Sequence, residues 1–325
     1  MSAIEPRSRT MHRILVSAVA AIILGWSYST QAAAGSLGDA AATQIEDAVA
    51  ALNKSDDATA LRLFRPLAEN GNPRAQFNLG FMYANGRGVS RNFAEAMKWY
   101  RLAADQGFAA AQHNLGLMFA NGQNVAVDHA EAVKWYRLAA SQGFAKSQNE
   151  LGYDYAQGRG VPQNYDEALK WYRLAADQGD AGAQLNLGTS YATGQGVPQN
   201  YPEALKWFRL AADTGNAGAQ FNLGLMHSNG LGTPKDPGEA AKWWRLAADQ
   251  SYAKAQLNLG TLYATGLGVP EDKVRAYLWF SLAAARDDLT ALNYRNRVAQ
   301  EMTPAQIAEA QKLTREWQPT RQAPR

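Results

Sequence analysis

The sequence predicts an all-α fold, a right-handed α-solenoid of stacked helical hairpins with a period of 36 residues. The dipeptide Leu-Gly recurs at this spacing in six units, and a Trp-aromatic pair and an Ala-Ala pair recur with it. Six units that share one register without an insertion indicate a repeat array rather than a single packed core. The repeated signature residues are Leu79, Gly80, Gly86, Trp99, Leu115, Gly116, Trp135, Leu151, Gly152, Trp171, Leu187, Gly188, Trp207, Leu223, Gly224, Trp243, Leu259, Gly260 and Trp279.

Residues 1–34 predict an export signal. Arg7, Arg9 and Arg13 precede an apolar run at 14–24, and small residues follow up to Ala34, as in a secretory signal peptide. The apolar run is short compared with the roughly 20 residues that a membrane-spanning helix needs. We expect cleavage near Ala34 and a periplasmic or secreted protein. An uncleaved membrane anchor is the alternative, and Met11 is an alternative start.

Composition and charge limit the kinds of partner and covalent modification that we expect. With 46% hydrophobic residues the chain has enough apolar material to fold. It contains no cysteine, so it has neither disulfides nor an N-terminal lipidated cysteine. The formal net charge is +3, and the predicted signal contributes two of these charges, which leaves about +1 on the mature chain. We therefore expect no nucleic-acid partner, membrane contact only through the transient signal peptide, and a monomer.

Each unit is predicted to contain two helices. In the first unit, the apolar residues of 74–84 recur on one helical face. Gly86 follows, where a helix end favours a residue with positive φ. Asn92 then precedes the second helix, 94–106, and its side chain is suited to accept from the free amides of that helix. Because the other units keep these residue types, each unit is predicted to be a helical hairpin.

Small residues predict how the helices pack. Gly80 and Ala75 on the first helix leave room for Trp99 and Tyr100 on the second. We therefore interpret the repeated Leu, Gly and Trp residues as structural.

The six repeats, at 74–287, have predicted caps at both ends. Residues 39–73 predict a degenerate N-terminal capping repeat, because 58–71 matches the second helix in phase, with Leu63 and Phe64 at the aromatic positions. Residues 288–318 predict C-terminal capping helices, the last of which opens with Thr303 and Pro304. Residues 319–325 predict a flexible tail.

The full pattern resembles a known family. It reads A-x-x-x-L-G-x-x-Y-x-x-G, then Gly-Val, then A-x-x-W-Y-x-x-A-A-x-x-G, and it is similar to the Sel1-like repeat, a relative of the tetratricopeptide repeat. The resemblance covers residue 74 to about residue 287. It implies a concave groove lined by the first helices, and partners among envelope sensors, secretion or polysaccharide machinery, or host proteins.

Catalytic and metal-binding motifs are sparse. No metal-ligand spacing joins the four histidines, His12, His113, His129 and His227. Ser251 and Lys254 fit the S-x-x-K form of penicillin-recognising enzymes, and some exported Sel1-like proteins act on β-lactams. Ser251, however, stands where other repeats have a loop glycine, and no S-D-N or K-T-G accompanies it. We expect no enzyme activity, no cofactor and no metal.

The second helices carry a regular row of cations. A glutamate stands three residues before each lysine, and an aspartate four residues after most of the arginines, which predicts ion pairs on a solvated face. A surface for phosphate or an acidic polymer is the alternative. The cations are Lys98 and Arg101, Lys134 and Arg137, Lys170 and Arg173, Lys206 and Arg209, and Lys242 and Arg245.

The remaining face of the first helices predicts a partner-binding groove. Asparagines recur on it, broken once by a glutamate, and variable residues lie beside them. A carboxamide can donate to and accept from a partner's backbone. The alternative is that the asparagines bond neighbouring helices. The predicted groove residues are Asn78, Asn114, Glu150, Asn186, Asn222, Asn258, Phe77, His113, Tyr153, Leu185 and Phe221.

These observations predict a non-catalytic scaffold or adaptor in the bacterial cell envelope that binds a segment of a partner protein. Two alternatives remain open, a hydrolase acting on β-lactam or cell-wall substrates and a structural peptidoglycan-associated protein.

Overall fold

The computed structural model describes residues 37–286 and 288–320. The predicted signal, 1–34, and residues 321–325 of the predicted tail lie outside the described residues. The all-α solenoid of paired helices is confirmed. Its handedness stays a prediction. The described chain divides into two compact units, an N-terminal unit that ends at Ala175 and a C-terminal unit that begins at Ala176.

Helices follow one another in pairs along the described residues. Those that begin in the N-terminal unit are α1 Leu37–Asn53, α2 Asp57–Glu69, α3 Pro73–Asn85, α4 Phe93–Asp105, α5 Ala109–Asn121, α6 His129–Ser141, α7 Ala145–Gln157 and α8 Tyr165–Asp177. Those of the C-terminal unit are α9 Ala181–Thr193, α10 Tyr201–Asp213, α11 Ala217–Asn229, α12 Pro237–Asp249, α13 Ala253–Thr265, α14 Lys273–Ala284, α15 Leu289–Gln300 and α16 Pro304–Glu316.

The predicted helix ends are confirmed. Gly86 closes α3 with φ of 69°, a left-handed conformation that costs glycine little. The Asn92 side chain accepts hydrogen bonds from the backbone N–H groups of Ala94 and Glu95, so it satisfies two free donors at the start of α4. The same two devices recur with the repeat period, which fixes where each hairpin turns. We call positions that are 36 residues apart one slot.

Tyrosine, rather than tryptophan, fills the space beside the repeated glycine. A Cβ placed on Gly80 would lie 2.8 Å from Cδ1 of Tyr100. Trp99 is only half-buried and packs with the cluster of α1, α2 and α3. The predicted contact of Gly80 with Trp99 is therefore wrong, whereas the contact with Tyr100 is confirmed. Neighbouring residues on a helix point in different directions, so only one of the pair can lie on the glycine.

Both capping regions pack as helices. In the N-terminal unit, Phe64 of α2 is fully buried against α1 and α3. In the C-terminal unit, α16 begins with the predicted Thr303 capping box and packs on α14. Trp317 meets Trp279 edge to face at 6.2 Å, and the Thr320 backbone N–H donates to the Asp249 carbonyl. The described start of the predicted flexible tail is thus held by a hydrogen bond.

Candidate functional site

Three predicted groove residues instead form aromatic contacts with the residue that precedes the next first helix. The Phe77 ring lies 5.3 Å from that of Phe108, and Phe221 lies 5.1 Å from Tyr252. His113 lies 5.3 Å from Phe144 in the same arrangement. All three are at most 7% exposed, because this N-cap residue of the next first helix covers them. The prediction that Phe77, His113 and Phe221 line an open groove is therefore wrong.

The asparagine row lies largely between helices. Asn78 is 3% exposed, and its amide donates to the Arg74 carbonyl one turn earlier. The half-buried Asn114 hydrogen-bonds the buried Tyr100 hydroxyl of the preceding repeat. Asn186 and Asn222 are also buried. The Asn114 contact favours the alternative in which the asparagines join neighbouring helices, whereas Asn78 bonds its own helix. Asn78, Asn186 and Asn222 are too buried to meet a partner directly.

Asn222 has no tyrosine at the position that corresponds to Tyr100, the residue that Asn114 contacts. Phe208 stands at the Tyr100 slot and has no hydroxyl, and Oδ1 of Asn222 is buried without a hydrogen-bond partner. Phe208 packs on Gly188 as Tyr100 packs on Gly80, so a hydroxyl on its ring would point the same way.

We expect Phe208→Tyr to stabilise the C-terminal unit by about 1 kcal/mol, the usual net gain of one buried hydrogen bond. Urea denaturation followed by circular dichroism measures the change. Phe280→Tyr is the matched control, because Tyr294 rather than asparagine stands at the corresponding position. An equal gain in both variants, or none in Phe208→Tyr, contradicts this explanation.

A partly open surface remains on the first helices of the N-terminal unit. Phe81, Leu117 and Tyr153 occupy one slot there and are all half-buried. One turn later Asn85, Asn121 and Gln157 are exposed at the helix ends, so this surface reaches solvent. We call Phe81, Asn114, Leu117, Glu150 and Tyr153 the first-helix face.

The same slots are less available in the C-terminal unit. Thr189 is 7% exposed and Leu225 is 8% exposed. Thr261 is half-buried, and its hydroxyl donates to the Leu257 carbonyl of its own helix. Leu185 and Asn258 are half-buried. The N-terminal unit therefore offers the larger apolar side chains to a partner.

Helix α7 departs from the pattern of the other first helices. Ser147 replaces an alanine that stands in this slot in the other five repeats, and its hydroxyl lies 2.9 Å from Nδ1 of His113. A polar ring and a hydroxyl thus replace an apolar pair, which explains Ser147 by packing. Glu150 replaces asparagine, and Asp154 stands where the other repeats have Met82, Met118, Ser190, Met226 and Leu262. The packing shared by the other repeats does not account for these two acids.

Asp154 is a buried carboxyl group in a slot that is apolar in four of the other five repeats. It is 5% exposed, and its Oδ2 atom is buried without a hydrogen-bond partner. Burial raises the pKa of Asp154 to about 8, the Glu150 carboxylate contributes to the rise, and the Arg159 guanidinium opposes it. The proton therefore stays on Asp154 at neutral pH, because ionisation would place an uncompensated charge in the core.

Sequence reasoning missed a second buried polar slot. The Gln112 amide donates to the Ala104 carbonyl, and its side-chain oxygen accepts from Gln142 at 2.8 Å. Gln220 and Gln250 form the same pair in the C-terminal unit. Glutamine fills this slot in all six repeats, and this constancy could have identified it. These glutamines are buried structural links between repeats.

The cationic row consists of structural contacts. Lys134 pairs with Glu131 at 2.7 Å, and Lys170 pairs with Glu167 at 2.5 Å. The predicted lysine pairs are therefore confirmed. Several arginines instead lie over a tryptophan of the following repeat. The guanidinium carbon lies 5.6 Å from the ring centroid for Arg101 and Trp135, 5.4 Å for Arg209 and Trp243, and 5.1 Å for Arg245 and Trp279.

Ser251 adopts the loop conformation of the glycines in its slot. Its φ is 67°, and φ of Gly107 and Gly215 is 85° and 90°. A serine in this conformation is strained, because its Cβ approaches the backbone. The position of Ser251 is therefore a helix-terminating turn.

We expect Ser251→Gly to stabilise the C-terminal unit by about 1 kcal/mol, because glycine adopts a left-handed conformation without this strain. The midpoint of urea denaturation reports it. The same change inside α14, Ser281→Gly, should cost about 1 kcal/mol in helix propensity. If both variants are destabilised, Ser251 is not strained.

The described residues also bear on metal binding and membrane insertion. Within 37–286 and 288–320, no group of three or more His, Cys, Asp or Glu side chains is placed to hold a metal ion. In the same part of the chain, no helix combines the length and apolar character needed to cross a membrane.

Together, the 36-residue hairpins, the glycine-aromatic contacts and the buried polar links between repeats define a class of protein, the α-helical repeat scaffolds. Within this class, the chain belongs to the Sel1 repeat family. The family matches in six consecutive segments, 73–108, 109–144, 145–180, 181–216, 217–252 and 253–288. The predicted resemblance is thereby confirmed. Sel1 repeat proteins are generally scaffolds for protein–protein interaction.

Solved structures also resemble this chain, and two of them illustrate the match. One is the crystal structure of a protective antigen present in uropathogenic Escherichia coli strains displaying an SLR fold, with a TM-score of 0.76 and 36% identity over 80% of this chain. The match spans 56% of that antigen's length. The other is a Sel1 repeat protein from Oxalobacter formigenes, with a TM-score of 0.70 and 34% identity over 74% of this chain and 96% of that one. A comparison with curated proteins finds no match.

Proposed function

We propose that this protein is an exported, non-catalytic adaptor of the bacterial cell envelope that holds a segment of a partner protein on its first-helix face. The family supplies the general role of a scaffold. The signal pattern in 1–34 supports export, and the loop geometry of Ser251 supports a structural rather than a catalytic role for the one serine motif.

The observation that carries the proposal is the difference between the slots. Leu115 and Leu151 are fully buried, and the repeated glycines pack on aromatic rings. At the Phe81 slot, by contrast, the N-terminal unit presents Phe81, Leu117 and Tyr153 half-buried, each with a different shape. Large apolar side chains that remain accessible and vary between repeats are suited to recognising a partner.

Site-specific photo-crosslinking tests the proposal. A photo-reactive residue at Tyr153 should capture a specific envelope or secreted protein when the exported chain is irradiated in its own cells. Lys170 on α8 is the control, because its side chain is 67% exposed and belongs to the cationic row of the second helices. Equal capture at both positions, or none at Tyr153, contradicts the proposal.

The absence of catalysis has its own test. The purified mature chain should not hydrolyse a chromogenic β-lactam. Turnover that Ser251→Ala abolishes would show that the serine acts as a nucleophile and would replace the adaptor with a hydrolase.

A further inference from the structure

Helix α7 is the only first helix of the six repeats that contains acidic residues. The other five, α3, α5, α9, α11 and α13, contain neither aspartate nor glutamate. Glu150 and Asp154 are four residues apart, so both carboxyl groups lie on one side of α7. Glu150 is half-buried on the first-helix face, about one turn before Tyr153 on α7.

Asp154 weakens the core of its own repeat. A methionine at this slot packs with the preceding helices, as Met82 and Met118 do, whereas Oδ2 of Asp154 is buried with no hydrogen-bond partner. An acid of this kind is unfavourable in a core, and where it persists it is a candidate for function. Asp154 therefore marks α7 as the repeat in which core packing is weakened, and the negative charge beside it belongs to the half-buried Glu150.

A cation already lies on this side of α7. The Arg159 guanidinium carbon is 4.9 Å from the centroid of the Tyr153 ring. The charge of Arg159 also acts on Asp154, in the direction opposite to that of Glu150. Tyr153 and Glu150, both half-buried, can therefore accommodate a guanidinium or ammonium group. Lys146, one turn before Glu150, is a second cation of this chain with which a ligand would compete.

From this arrangement we infer that the α7 part of the first-helix face binds a lysine or arginine side chain within an apolar segment of the partner. Glu150 acts as the counter-ion, and Leu117 and Tyr153 contact the flanking apolar residues. The inference rests on the proposed function and specifies the chemistry of the partner segment. Neutral asparagine at the same slot of the other repeats would not select for charge.

Selection from a random-peptide display library on the purified mature protein tests the inference. The enriched peptides should carry a lysine or arginine next to aliphatic or aromatic residues. Their affinity for Glu150→Asn should be at least about tenfold lower than for the parent protein, because a charge-assisted contact is lost. Asparagine occupies this slot in the other five repeats, so the variant should retain its circular dichroism spectrum.

Two controls separate charge recognition from general effects. Glu167→Gln removes the same charge from α8, where Glu167 pairs with Lys170 of the cationic row. This variant should leave peptide affinity unchanged. Lys146→Ala removes the competing cation and should not weaken binding. A loss of affinity in either control overturns the inference.

The inference also fails if the library enriches no basic peptides, or if enriched peptides bind Glu150→Asn as tightly as the parent protein. Such a result, together with capture of a partner at Tyr153, would leave the adaptor role intact and remove only the basic recognition element. Failure to crosslink at Tyr153 would instead contradict the proposed function itself.

Discussion

Replacing Asp154 with methionine should stabilise the N-terminal unit by about 2–4 kcal/mol at pH 8.5, the largest gain that we expect from a single substitution. The substitution removes a buried carboxyl group whose Oδ2 has no hydrogen-bond partner. It introduces methionine, the residue that packs in the same slot as Met82 and Met118. Urea denaturation of the mature chain, followed by circular dichroism, gives the free energy of unfolding. Hydrogen exchange should localise the added protection to α6 and α7.

The gain from Asp154→Met should depend on pH. The pKa of Asp154 is about 8 in the folded chain, whereas an unperturbed aspartate has a pKa of 3.8. Between these two values the folded state therefore holds the proton and the unfolded state releases it. The wild type loses stability progressively as pH rises from about 4 to 8. The variant does not titrate at this position, so its advantage should grow over this range and level off above it. An advantage independent of pH contradicts the buried carboxyl account.

Gly160→Ala should have the opposite sign and destabilise the N-terminal unit by roughly 3–5 kcal/mol. A Cβ at Gly160 would lie 2.2 Å from the His129 carbonyl oxygen and 2.6 Å from the Ala130 backbone nitrogen. Both atoms are backbone at the start of α6, so they cannot turn aside as a flexible side chain would. The left-handed φ of 67° adds strain for any residue with a Cβ. Urea denaturation again measures the change.

Gly143→Ala provides the matched control for Gly160→Ala. Gly143 also has a positive φ, 84°, but a Cβ there meets no atom within 4 Å. This variant should therefore cost only the conformational strain, about 1 kcal/mol. A similar loss in the two alanine variants would mean that the turn does not pack on α6 as the structure places it.

The repeat period predicted the framework because each slot is read six times. Gly86 and Asn92 mark helix ends through local chemistry, and the structure confirms both. The choice between Trp99 and Tyr100 beside Gly80 was not predictable, since the pattern fixes the helix but not its rotation about its axis.

The candidate site was harder to predict because burial depends on the neighbouring repeats. A single hairpin places Phe77 and Asn78 on an open face of α3, but Phe108 and the adjacent helix cover them once repeats stack. Asp154 could have been found from sequence, because it is an acid in a slot that is otherwise filled mainly by methionine. Its interaction with Glu150 and Arg159 required the structure.

The central claim is that the repeated leucine, glycine and aromatic residues stabilise the fold, whereas the first-helix face binds the partner. Its most direct test compares two variants of α7 in both stability and photo-crosslinking, with the photo-reactive residue at Leu117 in each case. Tyr153→Thr introduces the residue of Thr189 and Thr261, and should reduce partner capture with little change in the free energy of unfolding. Leu151→Ala, at a fully buried position, should cost about 2–5 kcal/mol. If Tyr153→Thr unfolds the chain as readily as Leu151→Ala while partner capture is unchanged, the face belongs to the framework and the claim is wrong.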